Sequence, residues 1–68
     1  MELSQKLKKL RQARGFSQTK LAEISGVSQS FIAYLEAGTK QPTVRILRKL
    51  AAALNVPASV LLEDNDSN

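Results

Sequence analysis

The 68-residue chain contains no cysteine and no histidine. Disulfides are therefore excluded, and so are zinc sites of the usual Cys/His kind. Its apolar runs are only a few residues long, too short for a bilayer span. No apolar segment follows Met1, so no secretory leader is expected. These absences leave a soluble cytoplasmic protein with no metal, no cofactor and no membrane partner. A chain of this length makes one domain at most, and a domain so small buries only about 60% of its unfolded surface. With a marginal core and no covalent staple, self-association is a reasonable expectation.

Acidic charge is scarce and unevenly placed. Glu63, Asp64 and Asp66 sit in the closing "EDNDSN". Residues 1–62 hold all ten Lys and Arg against three Glu, a balance of +7. That surplus points to a polyanionic partner, the plainer reading being a basic domain that is merely soluble. The remaining acids, Glu2, Glu23 and Glu36, are scattered. With no nucleophile–base pair and no Gly-rich phosphate loop, enzymatic activity is not expected.

Helical periodicity fills residues 1–62. Leu3, Leu7 and Leu10 form an i, i+4, i+7 stripe, so the first helix is expected from about residue 2 to 14, closed by Gly15. Cations in "RQAR" suit the negative end of its dipole. Ser17 can cap a second helix carrying Leu21 and Ala22 and ending at Gly26. Ser28 can cap a third, about 28–37, with Ile32 and Leu35 inward and Gly38 as its stop. Pro42 breaks the "TKQP" turn. Thr43 caps a fourth helix whose Leu47, Leu50, Ala51 and Leu54 share one face, and Asn55 ends it. Pro57 suits the first turn of a short fifth helix ending near Leu62. No segment alternates with period two, so the expected class is all-α, five helices. Residues 63–68 read as an acidic, fraying tail.

The second and third helices are separated only by "GVS". Gly26 permits a tight turn and Ala22 a close approach, and two helices so joined make a helix-turn-helix. In that motif the second of the two helices enters the DNA major groove.

Three stretches agree in order and spacing over residues 3–62: "LRQARGFSQTKLAEISGVSQSFIAYLEAG", a Pro before the fourth helix, and "LAAALNVPASVLL". With these the chain resembles the XRE family, the Cro/CI-like, lambda-repressor-like helix-turn-helix proteins of prokaryotes and their phages. The resemblance implies a compact five-helix domain that binds double-stranded DNA as a homodimer, most often as a repressor, with the third helix reading bases. It places Gln18 where the family grips a phosphate and Ser28, Gln29, Ser30 and Tyr34 at reading positions. It matches Arg11 and Glu36 to a pair that forms a partly buried salt bridge. Two positions depart from the pattern. Ser25 fills a slot that some members give to a larger apolar residue, and the third helix carries no Arg.

Helical geometry at 100° per residue adds detail. With Ile32 and Leu35 inward, the opposite side carries Ser30, Ala33, Tyr34 and Ala37, with Gln29 on the flank. Gln can pair bidentately with adenine, Ser can donate or accept, and Ala33 suits a thymine methyl or close approach. Ser28 is first an N-cap and second a contact residue, and Ser30 is open between solvent and base. Phe31 is read as core rim. Around this helix, which has no Lys or Arg, lie the candidate phosphate contacts Arg14, Ser17, Gln18, Lys20, Thr39, Lys40 and Arg45, because phosphate contacts position and base contacts specify. Arg11 is read as structural. Lys6, Lys8 and Lys9 are expected to face solvent. Val56, Pro57, Val60 and Leu61 offer a dimer face built from the fifth helix and the turn before it, as the resemblance implies, the plainer reading being extra core or scattered exposure. The competing reading is a helical adaptor that docks a protein rather than DNA, and a regulatory protein partner remains open under either.

Overall fold

In a computed structural model, which describes residues 2–62, the chain forms five helices: α1 (Leu3–Ala13), α2 (Gln18–Ser25), α3 (Gln29–Ala37), α4 (Val44–Leu54) and α5 (Ala58–Leu62). No strand occurs among the described residues. The acidic tail, residues 63–68, lies outside them.

Polar side chains begin three of the helices. The Ser17 hydroxyl accepts from the Lys20 N–H at 2.9 Å, Ser28 from the Phe31 N–H at 3.1 Å and Thr43 from the Ile46 N–H at 3.2 Å. Each bond satisfies one of the backbone donors that a helix start leaves without a partner. Left-handed residues end the helices. At α1 the Gly15 N–H bonds the Gln12 carbonyl at 2.9 Å and the Phe16 N–H the Arg11 carbonyl at 3.1 Å, the paired pattern of a Schellman cap. Asn55, at φ 60°, ends α4 with the same two bonds, from Asn55 to Ala52 and from Val56 to Ala51. Gly26, at φ 77°, closes α2 with a single bond to the Ala22 carbonyl, and a Cβ there would be strained.

The core is Leu7 from α1, Leu21 from α2, Val27 from the turn, Ile32 and Leu35 from α3, Leu47, Leu50, Ala51 and Leu54 from α4, and Leu61 from α5. α1 packs on α3 and α5, while α2 lies against α3 and α4. Leu3, Leu10 and Phe31 are half-buried at its rim. α3 is therefore held on its inner side by α1 and α2, with its outer side open.

Two expectations are corrected here. Leu61, assigned to a dimer face, is fully buried (0% exposed) in the chain's own core. Val60 and Leu61 project about 100° apart on a helix, so a single turn can send only one of them inward. Pro57 does not enter α5 but precedes it, its carbonyl accepting the Val60 N–H at 3.0 Å.

The burial of Leu61 generates a stability prediction. Leu61→Ala is expected to cost about 2–5 kcal/mol. Urea unfolding at widely separated protein concentrations should give the same difference from the parent each time. A difference that grows on dilution would return Leu61 to an interface.

Candidate nucleic-acid interface

The outer side of α3 carries Gln29, Ser30, Tyr34 and Ala37, all exposed, with Ala33 half-buried between them. The three-residue turn that delivers this helix is pinned by Val27, which is buried. Its N–H donates to the Ser25 hydroxyl at 3.1 Å. Ser25 thus has a local role that a larger apolar side chain would not supply.

Beneath α3 lies an ion pair. Arg11 Nε donates to Glu36 Oε2 at 2.7 Å and Arg11 Nη2 to Glu36 Oε1 at 3.0 Å, a bidentate arrangement. The two side chains are only 11% and 4% exposed. Arg11 Nη1 donates to the Phe16 carbonyl at 2.7 Å, so the same guanidinium ties α1 to the loop before α2. Hydrogen bonding to Glu36 raises the Arg11 pKa above its ordinary value, burial works against this, and attraction to the carboxylate adds to it. Arg11 is a fixed cation.

The ion pair continues outward. Gln18 Nε2 donates to Glu36 Oε1 at 3.1 Å, and Gln29 Nε2 donates to Gln18 Oε1 at 3.2 Å. An ionised carboxylate only accepts, so Gln18 must turn its NH₂ toward Glu36 and its carbonyl toward Gln29. Gln29 must then turn its own NH₂ toward Gln18. That leaves Gln29 one N–H and its carbonyl oxygen to face outward. The order of donors and acceptors on Gln29 is therefore set by the Glu36 carboxylate, which Arg11 holds in place.

The candidate phosphate contacts fall into two groups. Lys20, Lys40 and Arg45 are exposed. Ser17 uses its oxygen as a cap, as Ser28 of the base-contact set does, and the Thr39 hydroxyl donates to the Tyr34 carbonyl at 3.2 Å. Arg14 differs from expectation. Its Nε donates to the Leu54 carbonyl at 2.8 Å and its Nη2 to the Asn55 carbonyl at 3.4 Å, so it ties α1 to the end of α4. Lys6, expected in solvent, donates from Nζ to the Val60 carbonyl at 2.9 Å. Both cations meet carbonyls in the last turn or cap of a helix, the negative end of its dipole. On the proposed dimer face Pro57 is exposed, while Val56 and Val60 are half-buried.

The Gln18–Glu36 and Gln18–Gln29 bonds had not been foreseen. They join residues 18 and 11 positions apart, beyond any helical spacing. The only signal was the type of residue: two Gln near the starts of consecutive helices and one acid on the third.

The buried pair makes a second prediction. Glu36→Ala leaves the Arg11 cation without its carboxylate and is expected to cost about 3–5 kcal/mol in urea unfolding. Exchanging both partners, as Arg11→Met with Glu36→Leu, should restore much of that loss. A cost below about 1 kcal/mol for Glu36→Ala would mean that the pair behaves as a solvated surface bridge.

Comparison with known proteins agrees with this geometry. The helix-turn-helix family model HTH_3 matches residues 7–61. The HTH-type transcriptional regulator SutR of Escherichia coli (strain K12) is 45% identical over 65 residues, covering 96% of this chain but 36% of its own length. The chain thus spans little more than a third of that relative. The crystal structure of the restriction-modification controller protein C.AhdI from Aeromonas hydrophila superposes with a TM-score of 0.84 at 36% identity, covering 87% of this chain and 89% of that one. The crystal structure of SinR, described as the master regulator for biofilm formation, in complex with DNA also gives 0.84, at 33% identity over 88% of this chain and 97% of that one. Among the described residues, no helix is long and apolar enough to cross a membrane. By matched model, sequence identity and fold, the chain belongs to the helix-turn-helix family of DNA-binding transcriptional regulators.

Proposed function

We propose that the chain is a sequence-specific regulator, a repressor, acting in the cytoplasm, and that residues 1–62 form its DNA-binding unit. α3 lies in the major groove of duplex DNA, where Gln29, Ser30, Ala33 and Tyr34 meet base edges, with Ser28 at the helix start. The observation that carries this reading is the relay ending at Gln29. A free N–H beside a free carbonyl oxygen matches the N7 acceptor and N6 donor of adenine. Solvation alone calls for no such ordered amide.

The surround suits phosphates. The starts of α2 and α3 add the partial positive charge that favours anions at helix N-termini. Gln18 keeps one amide N–H beyond its bond to Glu36. Ser17, Thr39, Lys20, Lys40 and Arg45 flank the same helix in sequence, and the three cations among them are exposed. Arg14 uses its Nε and Nη2 on carbonyls at the end of α4, which leaves Nη1 for a phosphate. A homodimer formed through Val56, Pro57 and Val60 would present two copies of α3 about 34 Å apart, one turn of B-DNA, on a pseudo-palindrome. The relative SinR has been crystallised with DNA.

Selection from a random duplex library at about 150 mM salt tests this reading. An inverted repeat with half-sites roughly one helical turn apart is expected. Failure to enrich any sequence, with binding that fades as salt rises, would leave only nonspecific electrostatics and favour a protein-docking adaptor. On the selected site, Gln29→Ala should cost about 1–3 kcal/mol and relax preference mainly at one base pair. An equal loss on every sequence would move Gln29 to the phosphate contacts.

A further inference from the structure

The cap of α3 folds the chain back over its own last turn. Gly38 takes φ 78°, its N–H bonds the Leu35 carbonyl at 3.1 Å, and the Thr39 N–H bonds the Tyr34 carbonyl at 3.0 Å. The Thr39 hydroxyl donates to that same carbonyl. These bonds deliver the next residue, Lys40, to the Tyr34 ring. Lys40 Nζ lies 5.2 Å from the ring centroid, while Tyr34 itself is 48% exposed. Among the described residues, no carboxylate lies within ion-pair reach of Lys40.

An ammonium over a ring face is attracted by the ring quadrupole. At an exposed site this is worth about two- to fivefold in population. Lysine otherwise samples many rotamers on its four-carbon stem, and ordering them opposes any contact it makes. We infer that Tyr34 is a positioning residue: its ring face holds the Lys40 ammonium at the C-terminal edge of α3, ready for a DNA phosphate beside the groove. This rests on the DNA-binding reading above. It assigns the ring face to Lys40 and leaves the Tyr34 hydroxyl for the groove, so one side chain serves both positioning and reading.

The test uses the full chain and a random-sequence 20-base-pair duplex, so that no operator need be known. Affinity is measured over a range of salt for the parent, Lys40→Ala, Tyr34→Leu, Tyr34→Phe and the pair Lys40→Ala with Tyr34→Leu. Lys40→Ala should weaken binding and lower the salt slope by about 1. Its effect should shrink by about two- to fivefold in the Tyr34→Leu background. Tyr34→Phe, which keeps the ring, should preserve the whole Lys40 effect. In the free chain, the Lys40 ε-methylene protons should show an upfield ring-current shift, kept in Tyr34→Phe and lost in Tyr34→Leu. An equal cost for Lys40→Ala with and without the ring overturns the inference, as does absence of the shift. If the parent shows no salt-dependent binding to duplex, the DNA-binding reading fails and this role with it. The proton shift, read without DNA, tells that failure from a missing contact.

Discussion

The Arg11–Glu36 ion pair joins α1 to α3 from beneath, and the geometry of the outer surface follows from it. Two charges taken out of water cost several kcal/mol each, and their attraction offsets this only with good geometry and further hydrogen bonds. Both conditions are met: the contact is bidentate, Arg11 also donates to Phe16, and Glu36 also accepts from Gln18. Apolar residues of similar size could give comparable stability. They could not orient an amide. What the pair adds is direction, because an acceptor-only group at its outer end fixes the polarity of Gln18 and then of Gln29.

The surplus of basic charge is shared between two tasks. Arg11, Arg14 and Lys6 donate to partners inside the chain. The other seven Lys and Arg, from Lys8 to Lys49, are exposed. The balance of +7 over residues 1–62 therefore measures the field that draws a polyanion, and overstates the number of side chains free to touch it. These three cations work in a domain whose core, among the described residues, is ten side chains. Two of them tie α1 to backbone carbonyls at the end of α4 and within α5. In a fold this small, such ties set the relation of α1 to the segment proposed for dimer contact.

The helices were legible because their limits are local chemistry. Ser17, Ser28 and Thr43 cap within three residues of themselves, and Gly26, Gly38 and Asn55 end a helix through their own backbone angle. The inward stripes of α1, α3 and α4 were legible by period. The Arg11–Glu36 pairing came from the family resemblance and not from spacing. What stayed hidden depends on how helices cross. Arg14 reaches carbonyls 40 and 41 positions away, and Lys6 one that is 54 away. Leu61 was misplaced because α5 has five residues, too few for a period to show which of two adjacent apolar residues turns inward. Tyr34 and Lys40 are six apart across a left-handed cap. Helical spacing would separate them, and the reversal at Gly38 brings them together.

A reading helix without Lys or Arg in a basic chain is consistent with one physical requirement. Cations bind any duplex, because every duplex offers the same phosphates, and they raise affinity for wrong sites together with right ones. A regulator needs the ratio of the two affinities. If base reading falls to Gln29, Ser30 and Tyr34, α3 adds little to nonspecific binding, while Lys20, Lys40 and Arg45 can hold the backbone from outside it. Neutral groups pair less strongly than charged ones, so the arrangement works only if they are already in place. Gln29 is held from below through Gln18 and Glu36. Lys40 is held from the side by the Tyr34 ring. Both restraints lower the ordering entropy left to bind, and each ends on α3 or its cap. On the proposed reading, the ion pair under α3 and the ring contact at its end would serve one purpose: to let weak, directional groups discriminate where strong charges would only attract.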